Sequence, residues 1–255
     1  MLETKKDFTA EVQAAIPESV TIAQERGLDE AILLLLGVEK KCRVNNDFFN
    51  LKEVCLQMVR LCRSKSDWGK LNSTLAIINK RRSQSKLAIG AIVEEATKYL
   101  DETPSLEIKI ELIKTLKDIC EGKMYVEAES ANLHLTLAMI MEGQGDIAGA
   151  CAMIQDVHVE TYGSLSKKNK ADYILQQIRL NLLQKDYVRA LIQSRKMNRT
   201  LLDEVGFEDT KVKFYRMMIE YHTVEKDAWE ISQCYYKIYD TSTTREDPVA
   251  LQVTS

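Results

Sequence analysis

A repeat with a pitch of roughly forty residues constrains the fold of this chain more than any other feature of its sequence. Six segments each follow a short polar turn, and the residues at offsets one, four, eight and eleven from each start are mostly apolar. Those offsets lie on one face of an α-helix. The starting residues are all types that favour the N-cap of a helix, namely Gly27, Asp67, Ser105, Asp146, Asp186 and Asp227.

A second apolar series precedes five of these starts at the same pitch, and it predicts the buried face of a preceding helix. Its members are Val54, Ile92, Leu133, Ile174 and Phe214. Only Lys109 and Ser194 clearly interrupt the first series. Each unit is therefore predicted to be helix, tight turn, helix, with helices of about sixteen residues.

The predicted fold class is all-α, a right-handed α-solenoid of about six stacked helical hairpins that resemble tetratricopeptide repeats only loosely. We expect this solenoid to span residues 1–240, and residues 241–255 to form a C-terminal tail or the start of a further region. The scarcity of helix breakers agrees, since the chain has only three prolines and ten glycines.

Composition narrows the classes of function. A net charge of −3 argues against nucleic acid as the main partner, because phosphate binding needs a surplus of positive charge. The longest apolar run, Ala31 to Val38, is too short to span a bilayer. The N-terminus lacks the apolar core of a signal peptide, so we expect no secretion and no membrane partner.

Signals of catalysis are weak. The stretch EGQGDIAGACAMIQ carries Gly143, Gly145 and Gly149, but a dinucleotide loop must follow a strand, and here a helix is predicted. We expect a hairpin turn instead, with Gly149 allowing close helix packing. The three histidines show no metal-ligand spacing, and the six scattered cysteines are expected to be buried thiols. We therefore predict no catalytic, cofactor-binding or metal-binding residue and no small-molecule substrate, while an enzyme would need a pocket that the sequence does not show.

The densest basic cluster is NKRRSQSK, residues 79–86. Its simpler interpretation is a solvated helix end, where cations suit the helix dipole. The alternative is a protein-docking patch or a nuclear signal. The candidate protein interface consists of Lys80, Arg81, Arg82 and Lys86, together with a second loop at Tyr162 and Gly163. Tyr162 could equally pack under its own turn.

Four stretches in order resemble one family, and together they cover the chain from about Phe8 to Asp240. They are LGVEKKCRVNND (36–47), NKRRSQSKLAI (79–89), EGKMYVEAESANLHLTLAMI (121–140) and VETYGSLSKK (159–168). The chain is similar to the non-ATPase subunit 12 family of the 26S proteasome, which are scaffold subunits of the regulatory-particle lid and belong to the PCI class.

The resemblance implies an α-solenoid followed by a PCI module with a winged helix. It also implies a non-catalytic scaffold without cofactors, which supports ATP-dependent degradation of ubiquitinated proteins in cytoplasm and nucleus. The implied partners are other lid subunits, including the deubiquitinating metalloprotease subunit, and the proteasome core particle. Because the sequence ends at Ser255, we expect the solenoid arm without the PCI module, as a fragment or an unusually short form. Residues 241–255 would then be a tail or the start of the missing PCI region. A scaffold of the related signalosome and a free helical-repeat peptide adaptor are the alternatives.

Overall fold

The computed structural model describes residues 8–241, and within that range the chain forms α-helices and short 3-10 turns but no β-strand. Twelve α-helices follow one another along the chain. They are α1 (Thr9–Glu25), α2 (Leu28–Val44), α3 (Phe48–Ser64), α4 (Trp68–Lys80), α5 (Lys86–Lys98), α6 (Leu106–Cys120), α7 (Glu127–Gly143), α8 (Ile147–Gln155), α9 (Lys167–Leu183), α10 (Tyr187–Arg195), α11 (Glu208–Glu225) and α12 (Ala228–Tyr239). The predicted all-α array of six helical hairpins is confirmed, whereas the right-handed sense of its stacking stays a prediction.

The six predicted helix starts are the N-cap residues of the even-numbered helices. The Asp67 carboxylate accepts a hydrogen bond from the Lys70 amide at 2.8 Å. Asp146, Asp186 and Asp227 accept from the amide three residues on in the same way. Such a cap satisfies one of the amides that a helix leaves unpaired at its first turn, which fixes where the second helix of each hairpin begins.

The same residues also close the preceding helix. The Asp146 amide donates to the Met141 carbonyl at 2.9 Å, and the Asp186 amide donates to the Asn181 carbonyl at 2.9 Å. The residue before each is left-handed, with φ of 85° at Gly145 and 61° at Lys185. This is the Schellman geometry, so a three-residue turn ends one helix and starts the next.

The second apolar series is buried as predicted. Val54, Ile92 and Phe214 have no exposed surface, and Leu133 and Ile174 are at most 3% exposed. These residues lie on α3, α5, α7, α9 and α11, so the second to sixth hairpins each bury a face of their first helix.

Two second helices are shorter than predicted. α8 and α10 have nine residues each, where the repeat led us to expect about sixteen. Val157 and Met197 nevertheless remain buried just past the ends of these helices. The apolar pattern therefore predicts the buried residues correctly. In these two units the last buried residue lies in irregular backbone after the helix.

The chain divides into two compact units, residues 1–133 and 134–255. In the first, α3 packs on α1, α2, α4 and α5, and α6 packs on α4 and α5. In the second, α9 packs on α8, α10 and α11, and α11 packs on α12. Apart from Thr241, the predicted tail 241–255 lies outside the described residues. No helix in the described range is both long and apolar enough to cross a membrane.

Candidate protein interface

The basic cluster lies on the loop that connects the second hairpin to the third. Lys80 ends α4, Arg81 and Arg82 follow it, and Lys86 is the first residue of α5. All four side chains are exposed. Within the described residues none of them forms an ion pair, and only the Lys86 ammonium faces an aromatic ring, 5.9 Å from the centroid of Tyr125. The loop therefore presents uncompensated positive charge.

A buried carboxylate holds this loop in place. Glu39 of α2 has no exposed surface, and its Oε1 accepts from Arg43 Nε at 2.8 Å and from Gln84 Nε2 at 3.3 Å. Arg43 Nη1 in turn donates to the Arg82 carbonyl at 2.8 Å. A charge this deeply buried is costly unless it is paired. The pair thus ties the loop backbone to a helix of the preceding hairpin.

A groove of about 550 Å³ begins where the basic cluster ends. One side is α5, from Lys86 to Glu94, and the other includes Tyr125 and Val126 of the short 3-10 turn before α7. Leu87 is 52% exposed and Tyr125 40% exposed, so the groove presents apolar surface between charged residues.

The second predicted element, at Tyr162 and Gly163, lies in the other compact unit, after the 3-10 turn Val159–Thr161. Tyr162 is half-buried and its amide donates to the Val159 carbonyl at 3.2 Å, whereas Gly163 is exposed. The backbone of Tyr162 is therefore hydrogen-bonded within its own turn, and the role of its side chain at an interface stays a prediction.

Charges around this second loop are already paired with one another. Lys196 Nζ lies 3.4 Å from Glu160 Oε1 and 3.1 Å from His158 Nδ1. His158 Nδ1 lies 3.4 Å from the same carboxylate. The loop offers fewer free charges to a partner than the basic cluster does.

Groups that could carry chemistry lie in structural positions. All six cysteines are buried and free. Burial raises the pKa of the Cys42 and Cys234 thiols to about 11 and that of Cys120 to about 12, so these thiols stay protonated and unreactive at neutral pH. Residues 8–241 contain no group of three or more His, Cys, Asp or Glu side chains that could hold a metal ion.

The glycine-rich stretch forms a hairpin turn, as predicted. Gly143 ends α7, Gly145 is the left-handed turn residue, and Gly149 lies in the first turn of α8. A Cβ on Gly149 would overlap the end of the Met141 side chain and the Asp146 carboxylate, which caps α8. Close packing in the hairpin therefore favours a glycine here, and no phosphate site is needed to explain it.

Residues 30–247 match the protein family described as PSMD12/CSN4, N-terminal. The chain belongs to this family. Its relatives include the 26S proteasome non-ATPase regulatory subunit 12 of Dictyostelium discoideum, 36% identical over 97% of this chain. Homolog B of that subunit from Arabidopsis thaliana is 36% identical over 88%, and the 26S proteasome regulatory subunit RPN5 of Saccharomyces cerevisiae is 29% identical over 96%.

In all three relatives the matched region is 56% of the relative's own length, so the chain spans about half of each. Among solved structures, BtubC from P. vanneervenii is similar at a TM-score of 0.43 and 15% identity, with 93% of this chain and 91% of that chain covered. The family resemblance inferred from the sequence is confirmed by the match to PSMD12/CSN4 relatives.

Sequence reasoning missed the Glu39 anchor and the groove. Glu39 follows Leu35 by four residues and precedes Cys42 by three, so helical periodicity places it on the buried face of α2. The burial of Glu39 could therefore have been predicted from the sequence. Its partner Gln84 lies in the loop between the second and third hairpins, and nothing in the local pattern pairs the two residues.

Proposed function

We propose that this chain is the helical-repeat part of a non-catalytic scaffold subunit of the 26S proteasome regulatory-particle lid. The observation that carries the proposal is the PSMD12/CSN4 match over residues 30–247, together with relatives named as proteasome regulatory subunits. Hairpin repeats suit this role, because stacked units offer long surfaces for protein contacts. In this role the chain supports ATP-dependent degradation of ubiquitinated proteins by holding other subunits in place.

The proposed partners are other lid subunits, including the deubiquitinating metalloprotease subunit, and the core particle. Two separate contact surfaces are proposed, one in each compact unit. They are the exposed cluster of Lys80, Arg81, Arg82 and Lys86, and the loop at Tyr162 and Gly163. The four cations form no ion pair within the described residues, and this supports the assignment of the basic cluster as a contact surface. Residues 1–240 act as the solenoid arm, and the proposed location is the cytoplasm and nucleus. The arm works without cofactor or small-molecule substrate.

The test is co-purification from cells in which the chromosomal copy carries an affinity tag, at moderate salt, with partners quantified by mass spectrometry. Recovery of lid, ATPase and core-particle subunits at near-equal amounts is the expected result. A matched strain expressing the tag on an unrelated protein controls for background. If the chain is recovered alone, the scaffold assignment is wrong, and the free peptide adaptor and the enzyme become the leading alternatives.

A scaffold of the signalosome is the second candidate, because the matched family covers CSN4 as well as PSMD12. The same purification separates the two, since signalosome subunits without proteasome subunits would move the chain to that complex. Thermal-shift measurements with nucleotides address the enzyme alternative directly. We expect no shift in melting temperature with ATP or NAD.

A further inference from the structure

The groove beside the basic cluster contains a glycine that the fold does not require. Gly90 lies in the middle of α5, where glycine costs about 1 kcal/mol relative to alanine. A Cβ built on Gly90 would meet no atom of residues 8–241 within 4 Å, and its φ is not left-handed. Neither packing within the described residues nor backbone conformation explains the glycine. What it does provide is a stretch of helix backbone open to close approach from the groove.

The surroundings of Gly90 suit an apolar side chain. Ala91 adds a second small residue to the floor, while Leu87 and Tyr125 stand at the rim with roughly half of their surfaces exposed. Val126 beside them is buried. A volume of about 550 Å³ is large enough to accept more than one side chain of an incoming segment.

The two ends of the groove carry charges of opposite sign. Lys86 stands at one end of the α5 stripe and Glu94 at the other, roughly 12 Å away along the helix. Glu94 is paired with Lys98 at 3.1 Å, and Lys52 on the α3 side is paired with Glu53 at 3.0 Å. Lys86 has no such partner within the described residues, and Lys80, Arg81 and Arg82 continue the positive surface beyond it.

The N-terminus of α5 adds its own partial positive charge at the Lys86 end. Carboxylates are therefore favoured there, while Glu94 and the nearby Glu129 disfavour them at the far end.

We infer that this groove binds a short segment of a partner protein, in which an apolar side chain lies against Gly90 and the adjoining acidic residues pair with Lys80, Arg81, Arg82 and Lys86. The inference rests on the proposed scaffold function, because it names the kind of segment that one partner subunit presents. It assigns the chemistry of the contact at the basic cluster, which the family match leaves open.

The experiment places a photo-crosslinking amino acid at Leu87 in the tagged full chain, in cells, and maps the crosslinked peptide by mass spectrometry. The same substitution at Leu33, which is 67% exposed on α2, is the positional control. We expect Leu87 to give one major peptide with at least two Asp or Glu close to the crosslinked apolar residue, and Leu33 not to give that peptide.

Two variants test the recognition itself. Reversing the four cations (Lys80→Glu, Arg81→Glu, Arg82→Glu, Lys86→Glu) should lower the yield of that crosslink about tenfold or more, since charge complementarity is lost. Gly90→Leu should abolish it by filling the groove. Gly37→Leu is the matched control, because Gly37 is also inside a helix with nothing within 4 Å of a Cβ but faces solvent. Melting curves for the glycine variants establish that both fold.

The outcomes separate the two proposals. Co-purification of regulatory-particle subunits with no crosslink at Leu87, a crosslinked peptide lacking acidic residues, or a crosslink to nucleic acid would overturn the groove assignment and leave the scaffold standing. A crosslink unchanged by Gly90→Leu would also overturn it. The expected acidic peptide from a protein outside the proteasome would uphold the groove and reject the scaffold.

Discussion

The loop between α4 and α5 and the segment between α8 and α9 both connect one hairpin to the next, yet they use their charges differently. In the first, Lys80, Arg81 and Arg82 form no ion pair within the described residues, and a buried ion pair from α2 anchors the loop backbone. In the second, Glu160 pairs at the surface with Lys196, which lies directly after α10. The first loop thus keeps its cations available by relying on an anchor elsewhere.

This difference shows that similar charged connections in a repeat protein need not have equal roles. A charge that is paired at the exposed surface contributes little to the free energy of unfolding. An unpaired charge on a loop whose backbone is anchored by a buried ion pair is preorganised for a partner. Such a loop loses little conformational freedom on binding. The comparison predicts a large loss in the free energy of unfolding when the anchor of the first loop is mutated. It predicts a small loss when the surface pair of the second loop is mutated.

The largest effect is expected for Glu39→Ala. Removing the buried carboxylate leaves Arg43 Nε without its acceptor and takes one of two acceptors from Gln84 Nε2. We expect a loss of about 3 kcal/mol in the free energy of unfolding. Urea denaturation followed by circular dichroism measures it. Glu160→Ala is the matched change in the other loop, and equal losses for the two variants would contradict the distinction between them.

The loss should also be local to the first unit. Cys42 lies on α2 one turn after Glu39 and is fully buried. In the Glu39→Ala chain we expect its alkylation to be faster by up to about 100-fold, because local opening now costs less free energy. Mass spectrometry after timed labelling reads each thiol separately. Cys151 and Cys234 in the second unit should keep their original rates, and a uniform increase would indicate global unfolding instead.

An intermediate effect is expected for Glu142→Gln, at a pair that joins α7 to α9 in the second unit. Arg179 donates to both carboxylate oxygens, at 2.5 and 2.7 Å, and these hydrogen bonds lower the pKa of Glu142. The stabilisation is therefore present above the unfolded-state pKa and is lost as pH falls through the folded one. We expect a loss of about 1 kcal/mol at pH 7.

The pH dependence provides the control for this pair. Wild type and Glu142→Gln should converge in stability once the pH is well below the ordinary glutamate value of 4.5. A difference that persists unchanged in acid would mean that the glutamine disrupts packing rather than an ion pair.

The smallest effect is expected for Glu160→Gln. Its contacts with Lys196 and His158 are partly exposed and near the distance limit of an ion pair, so we expect a change of at most about 0.5 kcal/mol. Added salt should shrink it further, because surface pairs are screened. Thermal melts at low and high salt are sufficient to test this, and a loss above that of Glu142→Gln would reverse the ranking.

The sequence was informative wherever local chemistry decides the structure. Asp67, Asp146, Asp186 and Asp227 were predicted as helix starts because a short acidic side chain can cap the amides that follow it. Phe214 and Ile92 were predicted as core because apolar residues recur at helical offsets. Both inferences need only the residues within one hairpin.

The same reasoning failed where distant parts of the chain meet. The early ends of α8 and α10 could not be read from Val157 and Met197, which remain buried after the helix has ended. The contact of Glu39 with Gln84 depends on how consecutive hairpins stack. Of the candidate interface, the exposure of Lys80 to Arg82 was predictable, whereas the groove over Gly90 is lined by four separate elements.

The left-handed residues at the hairpin turns have a practical consequence. Ser66, Lys185 and Lys226 adopt φ values between 54° and 61°, a region that costs residues other than glycine energy. Replacing each with glycine should raise the free energy of unfolding by up to about 1 kcal/mol per turn. This figure allows for the greater conformational freedom of glycine in the unfolded chain. These turns are separate from Lys80–Lys86 and from Gly90. A more stable variant of the chain could therefore be engineered with its proposed contact surface unaltered.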